Sequence, residues 1–279
     1  MLFCMVVPEA TSSLHPVWKR RDGSLVANLR LSKAGSLTTL PRSLPLAEEL
    51  DANSMKIVAV IAAYNEAARI RATLDDARPH VDAMIVVDDC SRDNTSQCAR
   101  EGGAHVIRHV INRGQGAALQ TGMDYALREL QADVIVHFDA DGQMTGSEIG
   151  ILVAPIAAGE ADVVLGSRFL GIEAQNMPAV RRVMLRLATA FTIALSGIRV
   201  TDTHNGFRAL SRQAASDIRI SLDRMAHASE ILDLIKAKRL RYVERPVTIR
   251  YSQETLKKGQ STLKAVLTAK DILRKKIIG

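Results

Sequence analysis

The run from Val134 to Gln143 reads VIVHFDADGQ, a continuous apolar stretch that breaks into two carboxylates one residue apart. Val134, Ile135 and Val136 are β-branched, and an unbroken run of this kind suits a strand buried on both faces of a parallel sheet covered by helices. Asp139 and Asp141 then emerge at the carboxyl end of that strand. In open α/β sheets this is the edge where ligands bind. One intervening residue in extended chain puts both carboxylates on the same side, placed to share a hard divalent cation with the phosphates of a ligand. A DxD triplet alone carries little information; its position after a buried strand and before Gly142 and Gln143 is what gives it weight. His137 is read as pointing to the opposite side of the strand from the aspartates and is assigned to the core.

Strands and helices alternate around this stretch. KIVAVI from Lys56 predicts a strand, AAYNE a loop, and Ala67, Ile70, Leu74 and Ala77 recur at helical spacing. A second unit begins with the strand Ala83 to Val87, ends in Asp88 and Asp89, and turns through SRDNTS into a short helix. AHVIRH gives a third strand, His105 to His109, and the loop INRGQG feeds a helix with Ala118, Gly122, Tyr125, Ala126 and Leu130 on one face. Close helix packing explains Gly114 and Gly116 better than a phosphate loop does. Beyond the DxD strand come a helix near Ser147 to Ala158, a strand DVVLGS and, after Pro178, a long apolar helix led by Arg181, Arg182 and Arg186. A strand at Asn205 to Ser211, a helix HASEILDLIKAK and a strand RYVERPVTIR follow. This alternation predicts an α/β fold with a mostly parallel, doubly wound sheet and helices on both faces.

Three regions result. Residues 1–54 carry Pro8, Pro16, Gly23, Gly35, Pro41 and Pro45 without sustained periodicity, and are expected to be a poorly ordered extension. Residues 55–261 form the main domain. Residues 262–279 make a basic amphipathic helix, with Leu263, Val266, Leu267, Leu273 and Ile277 as its apolar stripe and Lys264, Lys270, Arg274, Lys275 and Lys276 beside it. Such a helix suits an anionic membrane surface, or equally packs on its own domain with a solvated basic face.

Of the 279 residues, 24% are charged and 47% hydrophobic, an ordinary globular balance, but the net charge is +7 and only 4% are aromatic. The excess positive charge suits an anionic partner, while the scarcity of aromatics offers no base-stacking platform and ranks nucleic acid last. Three cysteines, Cys4, Cys90 and Cys98, fit free thiols and a cytoplasmic setting. No stretch reads as a membrane span or a secretory leader.

Polar residues collect after the strands: Asn65 and Glu66, Asp88 and Asp89, Asp139 and Asp141, and Arg168. All belong to one edge of the predicted sheet. Carboxylates for a cation beside arginines for phosphate suit a nucleotide diphosphate ester, whose leaving group the cation would neutralise. Asp88 is expected to be structural, capping the helix that follows.

At this point the motifs AAYNE, VVDDCSRDNT, NRGQGAA, FDADGQ, LGSRF, DTHNGFRALS, ASEIL and ERPVTIRY, in this order and spacing, resemble the family 2 glycosyltransferases of the GT-A fold. Within that family they are similar to the dolichol-phosphate mannosyltransferase and bacterial polyprenyl-phosphate glycosyltransferase branch. The resemblance runs from Lys56 to Ser261. It implies inverting transfer of a hexose-type sugar from a UDP- or GDP-sugar, with Mg²⁺ or Mn²⁺, to a polyprenyl phosphate at the cytoplasmic face of a membrane. It also implies residue roles. Ala62, Tyr64 and Glu66 match the first nucleotide-contacting loop, Val87 and Asp89 the pair that holds the base, and Asp139, Ala140, Asp141 and Gln143 the metal and diphosphate motif. Arg168 matches an arginine near the reacting phosphates, Arg181 or Arg182 the arginine that holds the acceptor phosphate, and Lys258, Gly259 and Ser261 a closing basic loop over the donor. The chain departs from the family pattern at Ala62 for proline, at Asn205 for serine, in KKGQS for the closing loop, and in having no membrane hairpin.

A phosphate monoester has its second pKa near ~6 and is already dianionic at neutral pH, so it needs no protein base. A glycan or protein hydroxyl would need one. Asp202 and Glu230 are the candidate bases, and each equally suits a structural carboxylate that binds a backbone amide or an arginine. A noncatalytic membrane-associated adaptor with the same fold is a further reading.

Overall fold

Seven consecutive apolar residues, IVAVIAA, make an interior strand of the main sheet, and their side chains alternate between two cores. In the computed structural model, residues 17–21, 24–28, 55–170, 189, 193, 197–203, 205–222 and 226–250 are described. The chain divides into two units, Met1–Ser54 and Met55–Gly279. In the first, β1 (Val17–Arg21) and β2 (Ser24–Asn28) pair antiparallel. The Asp22-Gly23 dipeptide between them is a hairpin signature that the breaker-rich composition obscures.

The second unit holds strands β3 (Ile57–Ala63), β4 (Ala83–Asp88), β5 (His105–Arg108), β6 (Val134–His137), β7 (Val163–Ser167), β8 (Arg208–Ser211) and β9 (Tyr242–Pro246). Its helices are α1 (Ile70–Ala77), α2 (Thr95–Glu101), α3 (Gln115–Arg128), α4 (Ile149–Ala157), α5 (Arg212–Asp217) and α6 (His227–Ala237). The sheet order is β5-β4-β3-β6-β8-β7-β9. Every pairing is parallel except those of β8, which runs against both β6 and β7. A short apolar run such as Ala209-Leu210 carries no signal of direction, so the sequence predicts the strand but not its reversal.

Helices cover both faces, as the continuous apolar strands require. On one face Ile57, Ala59 and Ile61 pack with Ile70 and Leu74 of α1 and Ile149 and Leu152 of α4. On the other, Val58 and Val60 pack with Ala118 and Met123 of α3 and Ile231 and Ile235 of α6. Burial of each such aliphatic side chain contributes about 1.5–3 kcal/mol. The second layer sits unusually close: a Cβ on Gly122 of α3 would lie 2.3 Å from Val60 Cγ1. Only hydrogen fits there. Two ties brace the first layer near the site, Thr73 Oγ1 donating to the Ala140 carbonyl (3.1 Å) and the Gly146 amide donating to Asp76 (2.8 Å).

From β3 the chain steps outward to β4 and β5 on one side, then returns to place β6 on the other. The carboxyl ends of β3 and β6 therefore flank the point where strand order reverses, the usual position of a ligand crevice in open α/β sheets. Among the described residues no helix is long and apolar enough to cross a membrane. The helix expected over residues 262–279 lies outside the described residues, as does most of the apolar helix after Pro178.

Candidate active site

Asp139 is the second residue after β6, and three parts of the chain meet around its carboxylate. Gln115 Nε2, from the first residue of α3, donates to Oδ1 at 3.0 Å. A Cβ on Gly206 would stand 2.9 Å from Oδ2 and 3.0 Å from Oδ1, so the backbone before β8 lies directly against the carboxylate. The adjoining Phe207 meets Phe138 edge to face, ring centroids 5.4 Å apart. From within the loop itself, Asp141 adds its negative charge. Burial, reinforced by Asp141, raises Asp139 to about 7, while Arg208, Gln115 and Arg168 act against that rise.

Asp141 is also raised, by burial, with Glu66 adding to the effect and Arg69 opposing it. Its Oδ1 accepts from the Gln143 amide (3.1 Å), and the Gln143 carbonyl accepts from the Arg250 amide (2.8 Å). The loop is thereby fixed from its own turn and from the segment after β9. Two half-buried carboxylates, both raised by burial and then one by the charge of the other and the other by Glu66, form a hard-oxygen site in need of positive charge. Among the described residues no cluster of three or more His, Cys, Asp or Glu could hold a metal on its own. Two carboxylates suit Mg²⁺ or Mn²⁺, which commonly take one or two from the protein and the remaining ligands from water and substrate phosphates.

The loop after β3 carries Tyr64 and Glu66, and the Glu66 charge acts on Asp141. Tyr64 is 43% exposed and available to a ligand. Glu66 accepts from Arg69 Nε (2.8 Å), and its amide donates to Thr95 Oγ1 (2.9 Å). Ala62 is partly buried above α3, whereas the Val87 side chain is wholly buried, so nothing but its backbone can meet a nucleotide. Asp88 is structural but does not cap the helix that follows: one oxygen accepts from the Ser91 amide, in the loop before α2, at 2.8 Å, the other from the Ser96 hydroxyl. Asp89 grips the loop before α3, accepting from the Arg113 amide (2.9 Å) and the Gly114 amide (2.6 Å), with His109 Nδ1 2.8 Å away.

On the far side of β6, Arg168 follows β7 and is held by Asp202 in a two-pronged pair, with Nε 2.6 Å from Oδ2 and Nη2 2.7 Å from Oδ1. Asp202 is itself placed by Thr201, whose amide and hydroxyl both donate to Glu244 of β9, at 2.9 and 2.8 Å. Glu230 stands in α6, and its carboxylate accepts from the amides of Ser221 (3.0 Å) and Leu222 (2.8 Å) and from the Ser221 hydroxyl. Both candidate bases thus have the structural partners that the sequence reading named as the alternative, an arginine for Asp202 and backbone amides for Glu230.

The side assigned to His137 needs correction. Val134, Val136 and Phe138 belong to the core beneath α1 and α4, Ile135 to the core beneath α3 and α6. Period-two alternation therefore puts His137 on the same side as Asp139. It remains a core histidine: burial, with Arg208 and His227 nearby, lowers it to about 3 and keeps it neutral. Arg208, opposite His137 across the β6–β8 pair, is buried too, and is lowered to about 10 by burial, against the pull of Asp139 and Asp202. Arg181, Arg182, Lys258, Gly259 and Ser261 lie outside the described residues.

Gln115, Gly206 and Arg208 were not singled out by the sequence reading. Each sits inside a quoted motif, NRGQGAA or NGFRALS, and the signal was their place at an element boundary on the catalytic edge.

Fold and site define the class, a glycosyltransferase of the GT-A type. Residues 58–219, more than half of the chain, match the model for glycosyl transferase family 2, and the chain belongs to that family. It is 31% identical over 228 residues to a UDP-N-acetylglucosamine–dolichyl-phosphate N-acetylglucosaminyltransferase of Methanococcus voltae, covering 74% of this chain and 90% of the relative. It is also 31% identical over 216 residues to a dolichol-phosphate mannosyltransferase of Pyrococcus furiosus, covering 74% and 60%. Among solved structures, glucosyl-3-phosphoglycerate synthase from Mycobacterium tuberculosis, in complex with Mn²⁺, UDP-glucose and phosphoglyceric acid, aligns with a TM-score of 0.60 at 22% identity over 84% of each chain. That likeness concerns the fold.

Proposed function

We propose that this glycosyltransferase moves a sugar from a nucleoside diphosphate sugar to a polyprenyl phosphate at the cytoplasmic face of a membrane, with inversion at the anomeric carbon and with Mg²⁺ or Mn²⁺ at Asp139 and Asp141. The observation that carries the acceptor is the occupation of both candidate bases. Asp202 is committed to Arg168 and Glu230 to the Ser221–Leu222 amides. A phosphate monoester, dianionic at neutral pH, suits such a site because it arrives already deprotonated. Relatives whose names carry a dolichyl or polyprenol phosphate support the same choice.

In the reaction an acceptor phosphate oxygen forms a bond to the anomeric carbon from the side opposite the diphosphate, and the bond from that carbon to the diphosphate breaks. A bound cation supplies charge neutralisation to the departing nucleoside diphosphate. Tyr64, Glu66 and Asp89 belong to the nucleotide half of the crevice, with Ala62, Val87 and Ala140 contributing backbone. Arg168, oriented by Asp202, faces the reacting phosphates, and Arg181 or Arg182 holds the acceptor phosphate. Lys258 closes over the donor, and the basic helix of residues 262–279 rests on the lipid surface.

The test is transfer of labelled sugar from a panel of UDP- and GDP-sugars into the organic phase, with polyprenyl phosphate and Mg²⁺ or Mn²⁺. Label should enter the lipid and be lost in Asp141→Asn, which also loses metal-dependent donor binding while keeping its fold. Label found only on glycan or peptide hydroxyls would overturn the lipid-phosphate reading, and normal donor affinity in Asp141→Asn would overturn the metal assignment.

A further inference from the structure

Two carboxylates on opposite sides of β3 are connected through consecutive residues of one loop. Asp89, after β4, fixes residues 112–114: Asn112 Nδ2 donates to its carbonyl (3.1 Å), and the amides of Arg113 and Gly114 donate to its side chain (2.9 and 2.6 Å). His109 adds a brace, with its ring nitrogens 2.8 Å from Asp89 Oδ1 and 3.0 Å from Thr121 Oγ1 of α3. Gly114 has φ +96°, a left-handed value that favours glycine and turns the chain into the helix. The next residue, Gln115, then reaches Asp139 Oδ1 with its side-chain amide at 3.0 Å.

We propose that Gln115 is a positioning residue for the cation-binding carboxylate, and that the sequence of contacts Asp89–Gly114–Gln115–Asp139 couples the nucleotide half of the crevice to the cation half. This rests on the metal reading given above. The chemistry of the contact favours it. A neutral amide donor fixes the rotation of the Asp139 carboxylate without adding a further cation to the Arg208 and Arg168 charges that already act on it, whereas a lysine or arginine in its place would compete with the metal. Donors behind a ligating carboxylate orient it, and their loss typically weakens metal affinity about 10- to 100-fold. On the other side the Gly206 backbone blocks retreat of the carboxylate, so the contact with Gln115 selects among the few orientations left.

The test is a titration of Mn²⁺ into the full-length protein with UDP or GDP present, free Mn²⁺ being followed by its paramagnetic resonance signal. The variant Gln115→Met keeps the length of the side chain and removes the donor. It should weaken Mn²⁺ binding about 10- to 100-fold, with unchanged melting temperature and unchanged nucleotide affinity in chelator. In a cycle with Asp89→Asn, the two losses of Mn²⁺ affinity should be non-additive, as expected for groups in one chain of contacts. Wild-type Mn²⁺ affinity in Gln115→Met would overturn the positioning role, and strict additivity would overturn the coupling. If the wild-type protein bound nucleotide without any response to Mn²⁺, the metal reading would fall and this role with it; sugar transfer measured in parallel separates that outcome from failure of the proposed reaction.

Discussion

Arg168 and Asp202 meet through two parallel contacts, Nε to Oδ2 at 2.6 Å and Nη2 to Oδ1 at 2.7 Å, and the Arg168 amide adds a third to Oδ2 at 3.2 Å. Both side chains are buried. Removing one partner of such a pair leaves the other charge uncompensated, which costs about 3–5 kcal/mol. Asp202→Ala should therefore lower the melting temperature markedly as well as the transfer rate. A variant with wild-type melting temperature and no turnover would instead identify Asp202 as a base.

Glu230 gives the complementary prediction. Its carboxylate accepts two amides and a hydroxyl, so Glu230→Gln weakens charge-assisted hydrogen bonds at about 1–3 kcal/mol of stability. Transfer per folded molecule should stay within a few-fold of wild type. Abolished turnover with donor binding retained would restore the reading in which a hydroxyl acceptor is deprotonated by Glu230.

Gly206→Ala probes the wall behind the DxD motif. The added methyl would come to 2.9 Å from Asp139 Oδ2 and must displace that carboxylate. Misplacement of a reacting group by about 1 Å can cost on the order of 100-fold in rate. The variant should lose transfer and Mn²⁺-dependent donor binding together, and steady-state rates at saturating and limiting metal would show it. Unaltered metal dependence would mean that the loop yields freely.

The pH dependence of the metal-free protein has two opposed parts. Asp139 titrates at about 7 in the fold, against an ordinary carboxylate near ~3.9, so the folded state holds a proton that the unfolded chain releases. Its contribution to stability falls as pH rises between those values. His137 titrates at about 3 in the fold, against an ordinary ~6.5, so the unfolded chain binds the extra proton and stability falls as pH drops through that window. Each slope approaches about 1.4 kcal/mol per pH unit, and between pH ~4 and ~6.5 they largely cancel. Asp139→Asn removes one of them. Its melting temperature should fall more steeply on acidification than that of the wild type, and parallel curves would contradict the assignment. Because metal ligation needs the ionised carboxylate, Mn²⁺ affinity of the wild-type protein should rise with pH through about 7.

Much of this architecture is legible in the sequence, for physical reasons. Unbroken β-branched runs can be buried on both faces only if helices flank the sheet, so β3, β4 and β6 and the paired layers follow directly. The DxD position follows as well, since the apolar run must end where the carboxylates begin. Direction was not legible at β8, because antiparallel and parallel strands of four residues share the same composition. The side taken by His137 was available from alternation alone. Contacts such as Gln115 to Asp139, 24 residues apart, or the nearness of Gly206 to Asp139 depend on which strands become neighbours. A helix's first residue and a strand's approach take on chemical meaning only after the sheet order is known.

The reversal of β8 has a consequence for recombining members of this family. Each parallel strand presents to the crevice the residues that follow it, whereas β8 presents the residues that precede it, Asn205 to Phe207. A segment exchanged between Ser167 and Ser211 thus carries its own Asn-Gly-Phe-Arg wall, together with Asp202 and the arginines at 181 and 182. The parallel strands β3 to β6 and the nucleotide loops stay as they are. On the proposed reading acceptor preference travels with this segment, and a chimera cut at Ser167 and Ser211 tests that without rebuilding the strands β3 to β6.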